Sequence, residues 1–169
     1  MPKLAQALLL STLFLLPVMS ASADTLKAPT GKILLTITGK IKNTNAPGVA
    51  NFDREMLEEL GMVSFDTETY WTNGIQKFEG IPGKLLMEAV GVTEGKLQIQ
   101  ALDKYKAKVP VDDLINHRAT LMLKNMGEYL TVAKKGPLWL IYPLDDEQKL
   151  LKKQINSRSV WQIKSIEVL

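Results

Sequence analysis

The sequence predicts an α+β domain with a mainly β core, and three observations carry that prediction. Short segments alternate apolar and polar residues with period two, clearest in Leu97-Gln98-Ile99-Gln100-Ala101-Leu102 and in the closing run Ser159 to Val168. Between the strands stand a few short helical signals, the two best defined, Phe52 to Gly61 and Pro82 to Gly91, each closed by glycine. Turn residues punctuate the rest at close intervals, and there is no internal repeat or low-complexity tract.

Residues 1–23 are set apart from that domain. Lys3 gives a positive start, Leu4 to Val18 a leucine-rich apolar stretch, and Ala21-Ser22-Ala23 a small-x-small cleavage site. This order is that of a cleaved secretory signal peptide, with Asp24 as the first mature residue; an uncleaved N-terminal anchor is the alternative. Residues 24–169 then form a single exported domain, with no further apolar run long enough to cross a membrane.

Within the domain, Ile33 to Thr38 is short and β-branched and reads as a strand, followed by a loop over Asn43 to Val49 with Pro47 and Gly48. Asp53 is a good N-cap for the first helix, because its carboxylate can accept from free amides of the first turn. Phe52 stands where a hydrophobic staple would meet Leu57, and Gly61 suits the left-handed position after the last turn. Met62 to Tyr70 returns to strand alternation, and Trp71-Thr72-Asn73-Gly74 turns the chain. The helix Pro82 to Gly91 has proline near its start and glycine past its end. Leu97 to Leu102 and Tyr105 to Val111 read as partner strands, and Asp112 to His117 as one or two helical turns. Leu121 to Val132 reads as a hairpin with Gly127 at the left-handed loop position. Leu138-Trp139-Leu140-Ile141-Tyr142 is nearly continuous apolar sequence, as in a buried strand, with Trp139 in the core. Asp145 and Asp146 can cap a short helix over Glu147 to Lys153, and Ser159 to Val168 closes the chain as a long strand.

Charge and residue inventory narrow the chemistry. The formal charge is +3, or +2 without Lys3, so total charge gives no argument for nucleic acid. There is no cysteine, hence no disulfide, thiolate ligand or cysteine nucleophile. His117 is the only histidine and reads as a surface or helix-end residue rather than a metal ligand. No Ser-His-Asp context and no phosphate-binding glycine loop is present.

Three stretches taken together resemble the sulfite oxidase family of molybdopterin-binding proteins. Phe78-Glu79-Gly80-Ile81-Pro82-Gly83-Lys84-Leu85-Leu86 resembles the aromatic-x-Gly-x-Pro-x-x-x-Leu segment that follows the metal loop in that family. Gly136-Pro137-Leu138-Trp139-Leu140-Ile141-Tyr142-Pro143 is similar to its Gly-x-Pro-x-Arg-x-x-x-Pro strand, with the arginine missing. Ser157 to Val168 looks like its closing strand, where a Ser-Val step near the cofactor leads to a terminal Ile-x-Val. The resemblance implies a sulfite oxidase-like molybdopterin-binding fold. It also marks a departure: the family's enzymes bind molybdenum through a cysteine, and the corresponding loop here reads Phe65-Asp66-Thr67-Glu68-Thr69-Tyr70-Trp71. A neutral threonine hydroxyl does not replace a soft thiolate. The chain resembles small stand-alone periplasmic members of this family. Some of these bind a free reduced pterin and pass its presence to an inner-membrane sensor that makes or degrades cyclic di-GMP.

A pterin site needs an aromatic face, an acceptor for the amino group and donors for a carbonyl. The stretches that match the cofactor-lining loops supply Trp71 and Trp161 for stacking, worth about 1 kcal/mol beyond area burial. Arg158 offers a planar fork of donors, Asp145 an acceptor, and Asn73 both. Ser159 belongs to the Ser-Val step, and Tyr142 either points inward as core or sits at the rim with its hydroxyl free. Core filling is the competing reading for Trp161, a surface position for Arg158, and helix capping for Asp145.

The expected function is that of a periplasmic pterin-binding protein without catalysis or molybdenum, its partner the periplasmic domain of a membrane diguanylate cyclase or phosphodiesterase. Lys149, Lys152 and Lys153 would rim the site mouth and meet an acidic patch of that partner. The alternatives are a molybdopterin-dependent oxidoreductase or cofactor carrier lacking the cysteine ligand, and a protein that binds a partner and no ligand.

Overall fold

The computed structural model describes residues 26–143 and 152–169. Among these, ten strands form two sheets, with four short helices between them. The first sheet has the order β2 (Ala50–Phe52), β1 (Leu35–Gly39), β10 (Ile163–Val168), β5 (Lys96–Ala101), β6 (Lys106–Pro110). The second runs β3 (Val63–Thr67), β4 (Gln76–Pro82), β7 (Thr120–Asn125), with β8 (Glu128–Tyr129) and β9 (Trp139–Ile141) both pairing with β7. The C-terminal strand β10 lies between β1 and β5, parallel to the first and antiparallel to the second, so the end of the sequence completes the middle of the first sheet.

Period-two alternation sends one face of each sheet inward. Leu35, Ile37, Leu97, Ile99 and Ile166 of the first sheet and Ile81, Leu121, Leu123 and Leu140 of the second share one core, closed by Met56, Leu57, Leu86 and Met87 from two helices. Those helices are α1 (Arg54–Glu59) and α2 (Gly83–Ala89); α3 is Val111–Ile115 and α4 is Lys152–Arg158.

Local punctuation acts as expected. The Asp53 carboxylate accepts from the Met56 amide at 2.9 Å and also from the amides of Thr30 and Gly31, so it ties the N-terminal segment to α1. Those three donors hold its pKa below the ordinary carboxylate range, the Met56 amide contributing most. Met126 and Gly127 both take positive φ in the two-residue turn between β7 and β8, the geometry that matches strand twist. Gly80 has no alternative for a different reason: a Cβ there would lie 2.2 Å from the Leu121 carbonyl oxygen.

The last quarter of the chain departs from expectation. The closing strand starts at Ile163, not Ser159; Ser159 to Gln162 form an irregular segment that bends at Gln162, which takes φ +51. The helix before it runs to Arg158, later than the Glu147 to Lys153 span expected, and the first part of that span lies outside the described residues. Trp161 therefore lies on the irregular segment before the strand and not on the strand itself.

Candidate functional site

Among the described residues two clusters of buried side chains form, and the smaller one underlies the candidate site. Leu121 belongs to the main core while its neighbour Met122 belongs to a second cluster with Phe78, Leu130, Trp139 and Ile141, so the second cluster sits on the other face of the β4–β7–β9 sheet. Half-buried Phe65, Trp71 and Trp161 cover it. Trp71 meets Trp161 edge-on at 5.0 Å between ring centroids and 73°, and reaches Trp139 at 6.2 Å. Trp139 meets Phe78 at 5.6 Å and 87°. Lys135 places its ammonium 4.5 Å from the Trp161 ring centroid and 5.5 Å from that of Trp139.

Trp71 separates two hollows. On one side is a cleft of about 270 Å³ whose wall includes Trp161, Tyr105, Asp103, Asn156, Ser157 and Ser159. On the other is a more open groove of about 430 Å³ bounded by Trp139, Asn125, Asn73, Glu128, Lys134 and Lys135. The loop that carries Trp71 is held by Thr69 and Thr72, whose side chains bond each other at 3.1 Å and the loop backbone as well.

A β-bulge sets what faces the groove. Glu79 pairs with Lys124 but Gly80 pairs with Met122, leaving Leu123 as an extra residue in β7. The bulge rephases β7, so that Asn125 pairs with Phe78 and shares a face with Met122 and Trp139. Two buried side-chain polar atoms among the described residues lack a hydrogen-bond partner: Asn125 Oδ1 and Trp139 Nε1. Both belong to residues that line the groove. The Asn125 amide nitrogen, by contrast, donates to Gln76 Oε1 at 2.6 Å. An unmet buried donor or acceptor costs about 1–3 kcal/mol, so two of them at one place are a marked departure from a satisfied interior.

The expected site residues divide. Trp71 lines both hollows, Ser159 and Trp161 the cleft, and exposed Asn73 the groove. The Ser159 hydroxyl donates to the Ile155 carbonyl at 2.8 Å, fixing the last turn of α4. Tyr142 and Arg158 need correction. Tyr142 is buried in the main core and donates its hydroxyl to Asp113 Oδ2 at 2.7 Å. Burial, with the Asp113 carboxylate beside it, pushes that phenol's pKa far above its ordinary value and keeps it a donor. Arg158 is half-buried, and its Nη1 donates to both Asp113 oxygens, at 2.9 and 3.2 Å. Both side chains engage the buried Asp113 of α3, and neither lines either hollow. Asp145 and Lys149 lie outside the described residues, and Lys152 and Lys153 open α4.

Sequence reasoning missed Asp113, Asn125, Lys135 and the polar edge of Trp139. Asn125 precedes a Met-Gly turn and reads as a turn residue; only the bulge turns it to the groove. The family pattern did carry one signal. Counted between Pro137 and Pro143, Trp139 stands at the position where the pattern has arginine, which puts an N–H donor where the core reading has only bulk.

A molybdenum centre does not fit these residues. Thr67 ends β3 buried, with its hydroxyl directed to the Glu68 carbonyl at 3.4 Å, and the loop beyond it offers the hard Glu68 carboxylate, neutral hydroxyls and aromatic rings. With no thiolate in the sequence, the soft donor such a metal takes is missing.

No family model and no curated protein matches the sequence. Among solved structures the chain is similar to the sulfane dehydrogenase SoxCD from Paracoccus pantotrophus, with a TM-score of 0.60 and 14% identity, covering 85% of this chain and 39% of that one. The chain thus spans well under half the length of that protein. The likeness carries the fold alone, and that fold is the one the sequence predicted: an α+β domain of sulfite oxidase-like architecture, with a mainly β core and a few short helices.

Proposed function

We propose that this chain is an exported pterin-binding protein that reports its ligand to a membrane enzyme of cyclic di-GMP metabolism and performs no chemistry on it. The observation that carries the reading is the aromatic pair Trp71–Trp161 set between two hollows of ligand size. A flat bicyclic heterocycle matches such a wall, because it offers its π-face to the rings while its polar edges need in-plane partners. Those partners are at hand in the Asp103 carboxylate, the Asn156 amide and the Ser157 hydroxyl on one side of Trp71, and the Asn125 amide on the other. The absence of any cysteine weighs against turnover at molybdenum and in favour of binding. Export rests on the order of charge, apolar stretch and cleavage site in residues 1–23.

A partner that touches the mouth of the occupied site gains affinity only when ligand is present, and that difference is what transmits a signal. Exposed Tyr70, Ile75, Met126 and Val132 stand on the segments that frame the groove and offer such a partner an apolar contact. The test is titration of purified protein with 6,7-dimethyltetrahydropterin under anaerobic conditions, together with mass analysis of any ligand that co-purifies from the periplasm. Saturable binding that Trp71→Ala removes, Trp71 being the ring that lines both hollows, supports the reading. Absence of binding, with a folded protein, ends it.

A further inference from the structure

The groove on the Trp139 side of Trp71 holds the two unmet polar atoms of the described interior, one a donor and one an acceptor. We propose that Trp139 Nε1 and Asn125 Oδ1 read the polar edge of the ligand, the indole N–H donating to the ring carbonyl and the amide oxygen accepting from the exocyclic amine at the far end of that edge. This rests on the pterin reading and assigns the specificity of that same site.

Chemistry selects the edge. An orphan donor and an orphan acceptor on one face of the sheet match a ligand edge that carries an acceptor at one end and a donor at the other. The amino-pyrimidinone of a pterin has such an edge, with its carbonyl at one end and its amine at the other. The sheet is built to present these atoms. Trp139 is 2% exposed and wedged against Phe78 and Trp71, so its ring has little freedom to turn its N–H elsewhere. Asn125 is held by its amide nitrogen on Gln76, which leaves its oxygen as the unused atom, and the Leu123 bulge is what aims it to this face. The Lys135 ammonium between Trp139 and Trp161 adds positive potential that favours a carbonyl at this end.

Two arms test the assignment in the full chain. In the first, affinity for 6,7-dimethyltetrahydropterin is measured for Trp139→Phe, Asn125→Leu and Asn125→Asp, with thermal denaturation as the folding control. Trp139→Phe and Asn125→Leu are expected to weaken binding about tenfold each, one hydrogen bond's worth, while Asn125→Asp keeps the acceptor and binds as wild type. The second arm changes the ligand and leaves the protein intact, so it holds even if Trp139→Phe fails to fold. Replacing 6,7-dimethylpterin by 6,7-dimethyllumazine turns the amine into a carbonyl, and wild type is expected to lose about tenfold or more, a preference that Asn125→Leu abolishes. Wild-type affinity in Trp139→Phe and Asn125→Leu, together with equal pterin and lumazine binding, overturns the assignment and leaves the pterin reading standing. Absence of any wild-type binding overturns both.

Discussion

Between the two sheets, Leu35, Ile99, Leu121 and Ile166 are sealed among mostly aliphatic neighbours, whereas on the outer face of the second sheet Phe78, Met122 and Trp139 are roofed by two half-buried tryptophans. The polar groups follow the same division. At the main core, Asp113 is buried but fully engaged, accepting from Tyr142 and from Arg158. At the aromatic face, Trp139 and Asn125 each keep a buried atom without a partner. A buried carboxylate answered by two donors belongs to the architecture. A buried donor and acceptor left unpaired in residues that line a hollow are what the proposed ligand would answer. Arg158 teaches the point most directly, because residue type alone marks it as a ligand donor and its surroundings make it a structural cation.

That division breaks first at Arg158. Arg158→Ala leaves the Asp113 carboxylate in the interior with one donor, and is expected to cost roughly 3–5 kcal/mol in urea denaturation. Pterin affinity of the folded fraction should stay near wild type. Intact stability with lost binding would move Arg158 back into the site. Leu57→Ala, in the main core at full burial, is expected to cost about 2–5 kcal/mol by the same measurement, again with binding retained.

On the aromatic side the balance inverts. Trp161→Ala removes one edge-on ring contact and one cation contact, about 1–2 kcal/mol of stability, but should lower pterin affinity tenfold or more by calorimetry. The smallest effect is at the N-cap. Asp53→Ala should cost about 1 kcal/mol at neutral pH. Because the folded pKa of Asp53 lies below its unfolded value, its contribution is present above the ordinary carboxylate range and is lost as pH falls through the folded pKa. Wild type and Asp53→Ala should therefore converge in stability as the solution is acidified, in chemical denaturation run across pH 2 to 7 (roughly the range a carboxylate spans).

Much of the fold was legible because its signals are local. Asp53 caps the helix that follows it, Met126-Gly127 turns the hairpin it sits in, and Leu97 to Ala101 alternates against its immediate partner strand. Each depends on residues a few positions apart, and a sequence displays such spacing directly. Trp71 and Trp161 were legible as well, since each falls in a stretch matching a family segment and the structure brings the two rings together.

The rest required the tertiary structure, for reasons of distance and phase. Asp113 meets Tyr142 across 29 positions and Arg158 across 45, and nothing near either partner announces a carboxylate that far away. Asn125 faces the groove because one extra residue, Leu123, shifts the alternation of β7 by a step, and a one-residue slip moves a side chain to the opposite face of a sheet. The sequence by itself determined which elements form and which aromatic residues accompany them. Packing alone decided which polar atoms find partners inside the chain and which are left unpaired.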